Sequence, residues 1–177
     1  MINILTNDPS ITAWGWAVVS LSGVIKETGC IKTQPDNTKK NLRKSDDRMR
    51  RISEINTRLL QVIKRHNVEY ILSEIPHGSQ SASSAIAIGN VVGMVQTMAD
   101  TLELPLEGYS EGEVKKFLLG KRAAGKEEMI ACIEKQGVWK QTGKKGADEA
   151  VADALGVYYT ALVHSETLKL FKRLKAC

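Results

Sequence analysis

The sequence predicts an α/β fold: a five-stranded mixed sheet flanked by helices. Three observations carry this. Three strand-like apolar runs open the chain, and two more alternate with long helix-patterned segments, which is the order of an α/β sandwich. Two of the runs end on an acidic residue beside a turn, Asp8 and Glu74. Hydrophobic residues make up 42% of the 177, enough for a packed core and too many for a disordered chain.

Each element has a local reason. Residues 2–7, 13–20 and 23–32 read as strands, with Ser22-Gly23 as a hairpin turn between the last two. Residues 33–44 are polar, contain Pro35-Asp36-Asn37, and read as a loop. Ser45 is expected to cap a helix that runs to about His66, with Met49, Ile52, Ile55, Leu59 and Ile63 on its apolar face. Residues 68–73 are almost continuously apolar and read as an interior strand. A loop follows at 75–81, then a helix from about Ser83 to Leu102 in which Gly89 and Gly93 lie four apart and let another backbone approach. Leu104 to Tyr109 is the fifth strand, and Ser110 caps a helix to about Leu119. Lys126 to Gln136 and the strongly apolar Ala147 to His164 are two more helices. A basic tail, 165–177, completes one domain spanning 1–177, with Leu168, Phe171 and Leu174 sharing a face opposite its charges.

Composition narrows the function classes. The net charge is +5 and the pI about 9.1, which fits either plain solubility or a polyanionic partner. Cys30, Cys132 and Cys177 are odd in number and show no metal-ligand spacing, so reduced thiols in a cytoplasmic setting are expected. Asn3, Thr6, Asn7 and Asp8 interrupt the apolar start, so no signal pattern is read there. No uninterrupted run reaches the roughly 18 apolar residues of a membrane span, and no membrane partner is expected.

The carboxylates carry the chemistry. A carboxylate at the end of a buried strand is costly unless a cation or a reaction uses it. Asp8 and Glu74 sit at such ends, and Asp148, Glu149 and Asp153 open the apolar helix near the C-terminus. Phosphodiester cleavage builds negative charge on two oxygens, and two divalent cations about 3.5–4 Å apart stabilise both. Magnesium takes oxygen ligands, so several carboxylates suit it. Asp8 would bridge two metals, Glu74 would bind one, and Asp153 would complete the site. Asp153 lies within Ala150-Val151-Ala152-Asp153-Ala154-Leu155, where an unpaired charge is expensive. Glu149 shares its helix face, four residues away. Asp148 lies about 140° around the helix from Asp153 and suits an N-cap.

With these residues in place, the chain resembles the RuvC family of Holliday-junction resolvases, within the RNase H-like superfamily. Asn7-Asp8-Pro9-Ser10, Thr12 and Gly15-Trp16 match the opening motif, and Glu74, Ser84-Ala85, Gly89 and Gly93 match the second. Val114-Lys115, Gly120 and Lys126 match the third, and Asp153-Ala154-Leu155 the last. The resemblance covers about 2–164. It implies an RNase H-like fold and a magnesium-dependent endonuclease acting on four-way or branched DNA. It also implies two Mg2+ per active site with Mn2+ able to substitute, 5′-phosphate and 3′-hydroxyl ends, and a homodimer. The basic 33–51 region and the Trp14/Trp16 pair are more similar to phage-type members, which places the enzyme in a bacterial or phage-infected cell. Two positions depart. Ala150 stands where the family carries an acidic residue or His, leaving Asp148 or Glu149 as the fourth ligand. His77 stands where the family places an aromatic wedge, and imidazole stacks less extensively on a base.

Basic residues mark a DNA path. Lys39, Lys40, Arg43, Lys44, Arg48, Arg50 and Arg51 fall within thirteen positions, opposed by Asp46 and Asp47 alone. Lys115, Lys116, Lys121, Arg122 and Lys126 form a second group, and Lys140, Lys144 and Lys145 lead into the Asp153 helix. The family match sets Lys115 and Lys126 near the scissile strand. Two other readings compete with a nuclease. One is a branched-DNA-binding protein whose site Ala150 has disabled. The other is an actin-like phosphotransferase, which would need further glycine-rich phosphate loops and a much longer chain.

Overall fold

The computed structural model describes residues 2–36 and 42–176. Lys39, Lys40 and Cys177 lie outside these described residues, as does Asn37 of the 33–44 loop. The strands are β1 (Asn3–Asp8), β2 (Ala13–Ser20), β3 (Ile25–Lys32), β4 (Val68–Ile75) and β5 (Leu106–Ser110). The helices are α1 (Lys44–His66), α2 (Ala82–Thr101), α3 (Glu111–Leu119), α4 (Lys126–Lys135), α5 (Lys145–His164) and α6 (Glu166–Ala176). The sheet order is β3-β2-β1-β4-β5, with β1–β2 and β2–β3 antiparallel and β1–β4 and β4–β5 parallel. It is the mixed five-stranded sheet flanked by helices that the sequence predicts.

Side chains alternate across a strand, so the two faces of the sheet have separate cores. Ile4, Ala17, Val19, Tyr70 and Leu72 pack with α5, α4 and the start of α6. Leu5, Val18, Ile71, Trp14 and Trp16 pack under α1 and α2. Thr6 and Asp8 share the parity of Ile4, Glu74 that of Leu72, and Gly15 that of Ala17, so all four face α5. Thr6 Oγ1 donates to the Ala154 carbonyl at 2.6 Å, a buried bond that ties α5 to β1. At Gly15 the approach is closer still. A Cβ there would lie 1.9 Å from the Ala150 carbonyl oxygen, so only glycine lets α5 lie against β2. Asp153 lies between these two attachments. On the other face, buried Asn7 donates to the Leu72 carbonyl at 3.2 Å and accepts from Trp14 Nε1 at 3.1 Å, fixing the end of β1 between its neighbours.

Several elements differ from the sequence reading. Arg43, not Ser45, occupies the α1 N-cap, without a side-chain cap bond, and Ser45 Oγ reaches Asp46 instead. Asp46 and Asp47 in the first turn favour the helix dipole there. Met49 is 63% exposed, because the face of α1 on the sheet runs through Arg51, Ile55, Leu59 and Val62. Arg51 is buried and donates to Thr33 Oγ1 at 2.8 Å and the Ile11 carbonyl at 3.0 Å. It braces the turn after Asp8 and is removed from the DNA path. Asp148 does not cap α5; Lys144 holds that position. The basic tail is the helix α6, whose Leu168 is buried and whose Phe171 meets Tyr70 edge-on at 5.7 Å. Leu174, expected on that packed face, is exposed. α2 has a mean hydropathy of 1.2 and is long and apolar enough to cross a membrane by length and composition, although Ser83, Asn90, Gln96 and Thr97 interrupt it. Only Val91, Val95, Met98 and Ala99 on it are buried.

The Gly15 contact makes a testable demand. Gly15→Val is expected to lower folding stability by about 2 kcal/mol or more in urea titration, because overpacking against backbone has no side chain to yield. Gly146→Ala, in the first turn of α5 with nothing within 4 Å of the added carbon, is expected to leave stability unchanged or raise it. Equal effects of the two would contradict the close seating of α5.

Candidate active site

The parallel register brings the acidic strand ends together. Asn7 pairs with Ser73, which sets Asp8 beside Glu74, and Glu74 pairs with Tyr109 of β5. Ser110 ends β5 and starts α3 through a capping box: its Oγ accepts from Glu113 N at 3.3 Å, and Glu113 Oε2 accepts from Ser110 N at 2.8 Å. Glu111 therefore opens α3 at the same edge as Asp8 and Glu74. α5, held at Gly15 and Thr6, brings Asp153 over them.

The electrostatics show one coupled group. Burial pushes Asp8 up to about 7, helped by the charges of Asp153 and Glu111 and opposed by Lys126. Glu74 rises to about 9, from burial first and then from Asp8, Asp153 and Glu111, with Lys115 opposing. Asp153 rises to about 6: burial raises it, Lys115 and Lys126 pull it down, and Glu111 and Glu149 push it up. Three carboxylates that resist ionisation in each other's company form a site for added positive charge. The donors are all oxygen, which suits a hard divalent cation. In this arrangement no three His, Cys, Asp or Glu side chains among the described residues close on one point. A shared cation would have to draw them inward.

The remaining expected residues divide. Glu149 lies beside the group, and its Oε2 accepts from Lys126 Nζ at 2.7 Å. Asp148 does not join it. Its Oδ1 accepts from Thr142 N at 2.9 Å and Thr142 Oγ1 at 2.8 Å. Burial raises its pKa, but these bonds and the Gly143 and Lys144 amides outweigh that and leave it lowered. Asp148 pins the loop before α5 and faces a cavity beside Glu127 and Glu134. Ala150 lies against Gly15, the register partner of Asp8, and has no donor to offer there.

Lys115 reaches the group and pairs with Glu111, whereas Lys121 pairs with Glu128. His77 and Arg122 line a cavity of about 470 Å³ with Ser110, Glu111 and Glu113, next to Glu74. At the start of α1, Arg43 is bound to Asp46 at 2.7 Å, and Arg50 to Asp47 at 2.7 Å and the Gln34 carbonyl at 2.9 Å. Lys44 is exposed, and Arg48 reaches Ser83 at the start of α2. The sequence reading missed Glu111. Its signal was the strand end at Tyr109-Ser110 followed at once by an acid, the pattern already read at Asp8 and Glu74.

Comparison with known proteins agrees with this geometry. Residues 4–164 match the family model of the crossover junction endodeoxyribonuclease RuvC. The chain is 28% identical to the Methylococcus capsulatus (strain Bath) crossover junction endodeoxyribonuclease RuvC over 178 residues, covering 98% of each. It is similar in fold to a Thermus thermophilus RuvC structure, with a TM-score of 0.70 and 23% identity over 94% of this chain and 96% of that one. A T. thermophilus RuvC in complex with Holliday junction substrate gives 0.69 and 24%, over 90% of this chain and 96% of that one. A family model that runs from β1 to the last residue of α5 spans every element that brings a carboxylate to this edge, and the chain belongs to the RuvC family of crossover junction endodeoxyribonucleases.

Proposed function

We propose that this protein is a magnesium-dependent, structure-selective endonuclease that cuts Holliday junctions and related branched DNA. The observation that carries the reading is the trio of Asp8, Glu74 and Asp153, a buried glutamate with two half-buried aspartates gathered on one face where β1 and β4 end beneath α5. Asp8, Glu74 and Asp153 would hold the divalent cations, two per active site, with Glu149 at the margin. Magnesium, when bound, would acidify the attacking water and stabilise charge on the attacking and leaving oxygens. The side chains of the site do the rest. The carboxylates would orient the hydrolytic water, leaving 5′-phosphate and 3′-hydroxyl ends. Lys115 and Lys126, each now paired with a glutamate, neutralise the scissile phosphate as it arrives. Arg122 and His77 line the approach, and Lys44, Arg43 and Arg50 extend a basic path along the start of α1.

A four-way junction has two symmetric strands to cut, which suits a two-fold dimer. α2 offers the face for a second copy. Ile86 is exposed, and Gly89 and Gly93 have open space where a Cβ would stand. Ala150 favours a second reading, a junction-binding protein that does not cut, and cleavage decides between them.

Three outcomes are expected. In a labelled-junction assay, wild type makes paired nicks in Mg2+ or Mn2+ and none in EDTA. Asp8→Asn cuts roughly a thousandfold more slowly or not at all while still binding the junction in a gel shift. Binding without cutting by the wild type would support the second reading. The second outcome concerns pH. The three carboxyls have folded-state pKa values above the ordinary range, so the metal-free folded protein holds more protons than the unfolded chain. Their stability contribution is complete below about pH 4 and lost as pH rises through about 6, 7 and 9. Thermal melts without metal should therefore fall from pH 5 to 9. Asp8→Asn should be more stable than wild type at pH 8 by roughly 1–3 kcal/mol, and Mg2+ should raise the wild-type Tm alone. A flat pH profile would contradict the coupled site. Third, Gly89→Arg should convert a dimer to a monomer in sedimentation velocity and turn paired nicks into single ones. A dimer unaffected by it would exclude α2 as the interface.

A further inference from the structure

A RuvC-type centre built on three carboxylates leaves open where a fourth acidic group comes from, and α5 does not supply a free one. Position 150 carries no donor: Ala150 lies against Gly15, its Cβ within 2.8 Å of where a Gly15 side chain would start. Asp148 is turned into the loop before α5, where its Oδ1 holds Thr142 and its buried Oδ2 has no hydrogen-bond partner among the described residues. Its charge bears on none of the trio, and Glu149 is paired with Lys126.

The other side of the site differs. β5 runs parallel to β4, with Glu74 opposite Tyr109 and Ile75 opposite Ser110, so Glu111 is the next residue along the same edge. The capping box fixes the first turn of α3 and with it the backbone of Glu111. Its side chain is 42% exposed, and its one polar partner among the described residues is Lys115, one helical turn on. Lys115 itself is only 14% exposed and acts electrostatically on Glu74 and Asp153. Outside the trio, Glu111 is the acidic residue whose charge bears on all three members, whereas that of Glu149 bears on Asp153. Four carboxylates also balance two divalent cations, where three leave an excess positive charge.

We propose that Glu111 is the fourth carboxylate of this centre: it releases Lys115 and ligates the divalent cation from α3, in the role that Ala150 leaves empty on α5. The exchange is of ion-pair partners and needs no covalent step. The cation takes the Glu111 carboxylate, and the freed Lys115 ammonium turns to the DNA phosphate. This rests on the metal-dependent nuclease reading above.

The test is Mn2+ binding to the full chain without DNA, by isothermal titration calorimetry and by loss of the free Mn2+ electron paramagnetic resonance signal at pH 8. Asp8→Asn should abolish site binding. Glu111→Gln should weaken it at least tenfold or remove one of two Mn2+, and Glu111→Asp should restore most of it. Lys115→Met, by removing the competing ammonium, should tighten binding severalfold, and adding Glu111→Gln to it should cancel the gain. Melting curves confirm that each variant folds. If Asp8→Asn abolishes binding but Glu111→Gln matches wild type, Glu111 is only the partner of Lys115 and this inference falls. If Asp8→Asn binds Mn2+ like wild type, the metal-site reading itself falls and takes the inference with it.

Discussion

The contact between α5 and the sheet decides where everything else in the site can be. α5 crosses β2 over a glycine and is bonded to β1 through Thr6, so its backbone lies about as close to the strands as two backbones can. Gly15 is the register partner of Asp8, which means the closest approach occurs beside the first carboxylate. Asp153 projects from the stretch of α5 held between these two points. A helix displaced outward by a single side chain would carry Asp153 away from Asp8 and Glu74 and let water between them. The depth of the site, and hence the burial that raises all three pKa values, follows from this one seat.

That burial sets stability against function. Asp8, Glu74 and Asp153 would each be cheaper to keep as a neutral side chain; Glu74 is made worse by Asp8 and Asp153, Asp8 by Asp153, and all three by Glu111. Surrounding bonds offset part of the strain. Asn7 is bonded to both Leu72 and Trp14, Arg51 braces the turn after Asp8, and the Ser110 box fixes the start of α3. Lys115 and Lys126 supply the nearest positive charge, yet both are also paired with glutamates, so neither neutralises the trio. The protein thus holds a cluster of carboxyls that resist ionisation and would be stabilised by added positive charge, ringed by lysines whose present partners are exchangeable.

Much of this was legible in the sequence, and the reasons are physical. β1, β4 and the Asp153 helix were readable because a charge inside an apolar run is an anomaly at any single position. The order of strands and helices was readable because the period changes from two to about 3.6. What was not legible depended on neighbours distant in sequence. Ser45 looked like a cap, but the N-cap of α1 lies two residues earlier, at Arg43, where the acidic first turn suffices. Met49 fell on the apolar stripe, yet the sheet is met by a face rotated toward Arg51 and Val62. Asp148 looked like a cap or a ligand, whereas it holds its own preceding loop through Thr142. Arg51 looked like part of a DNA path because its burial depends on Thr33 and the Ile11 carbonyl. Ala150 looked like a lost ligand, and only the fold shows that Gly15 lies directly above it. Glu111 carried the same local sign as Asp8 and Glu74, an acid at a strand end, but what sets it beside them is the parallel pairing of β5 with β4, which joins residues distant in sequence.

The central claim is that the edge where β1 and β4 end beneath α5 is a divalent-metal centre. A crystal structure of the Mn2+-loaded protein, with anomalous data collected at the manganese edge, tests it most directly. The account predicts anomalous peaks within about 2.2 Å of Asp8 carboxylate oxygens, shared with Glu74 or Asp153. Peaks confined elsewhere, such as the cavity beside Asp148, Glu127 and Glu134, or no peak at Asp8 in crystals that take up Mn2+, would contradict it.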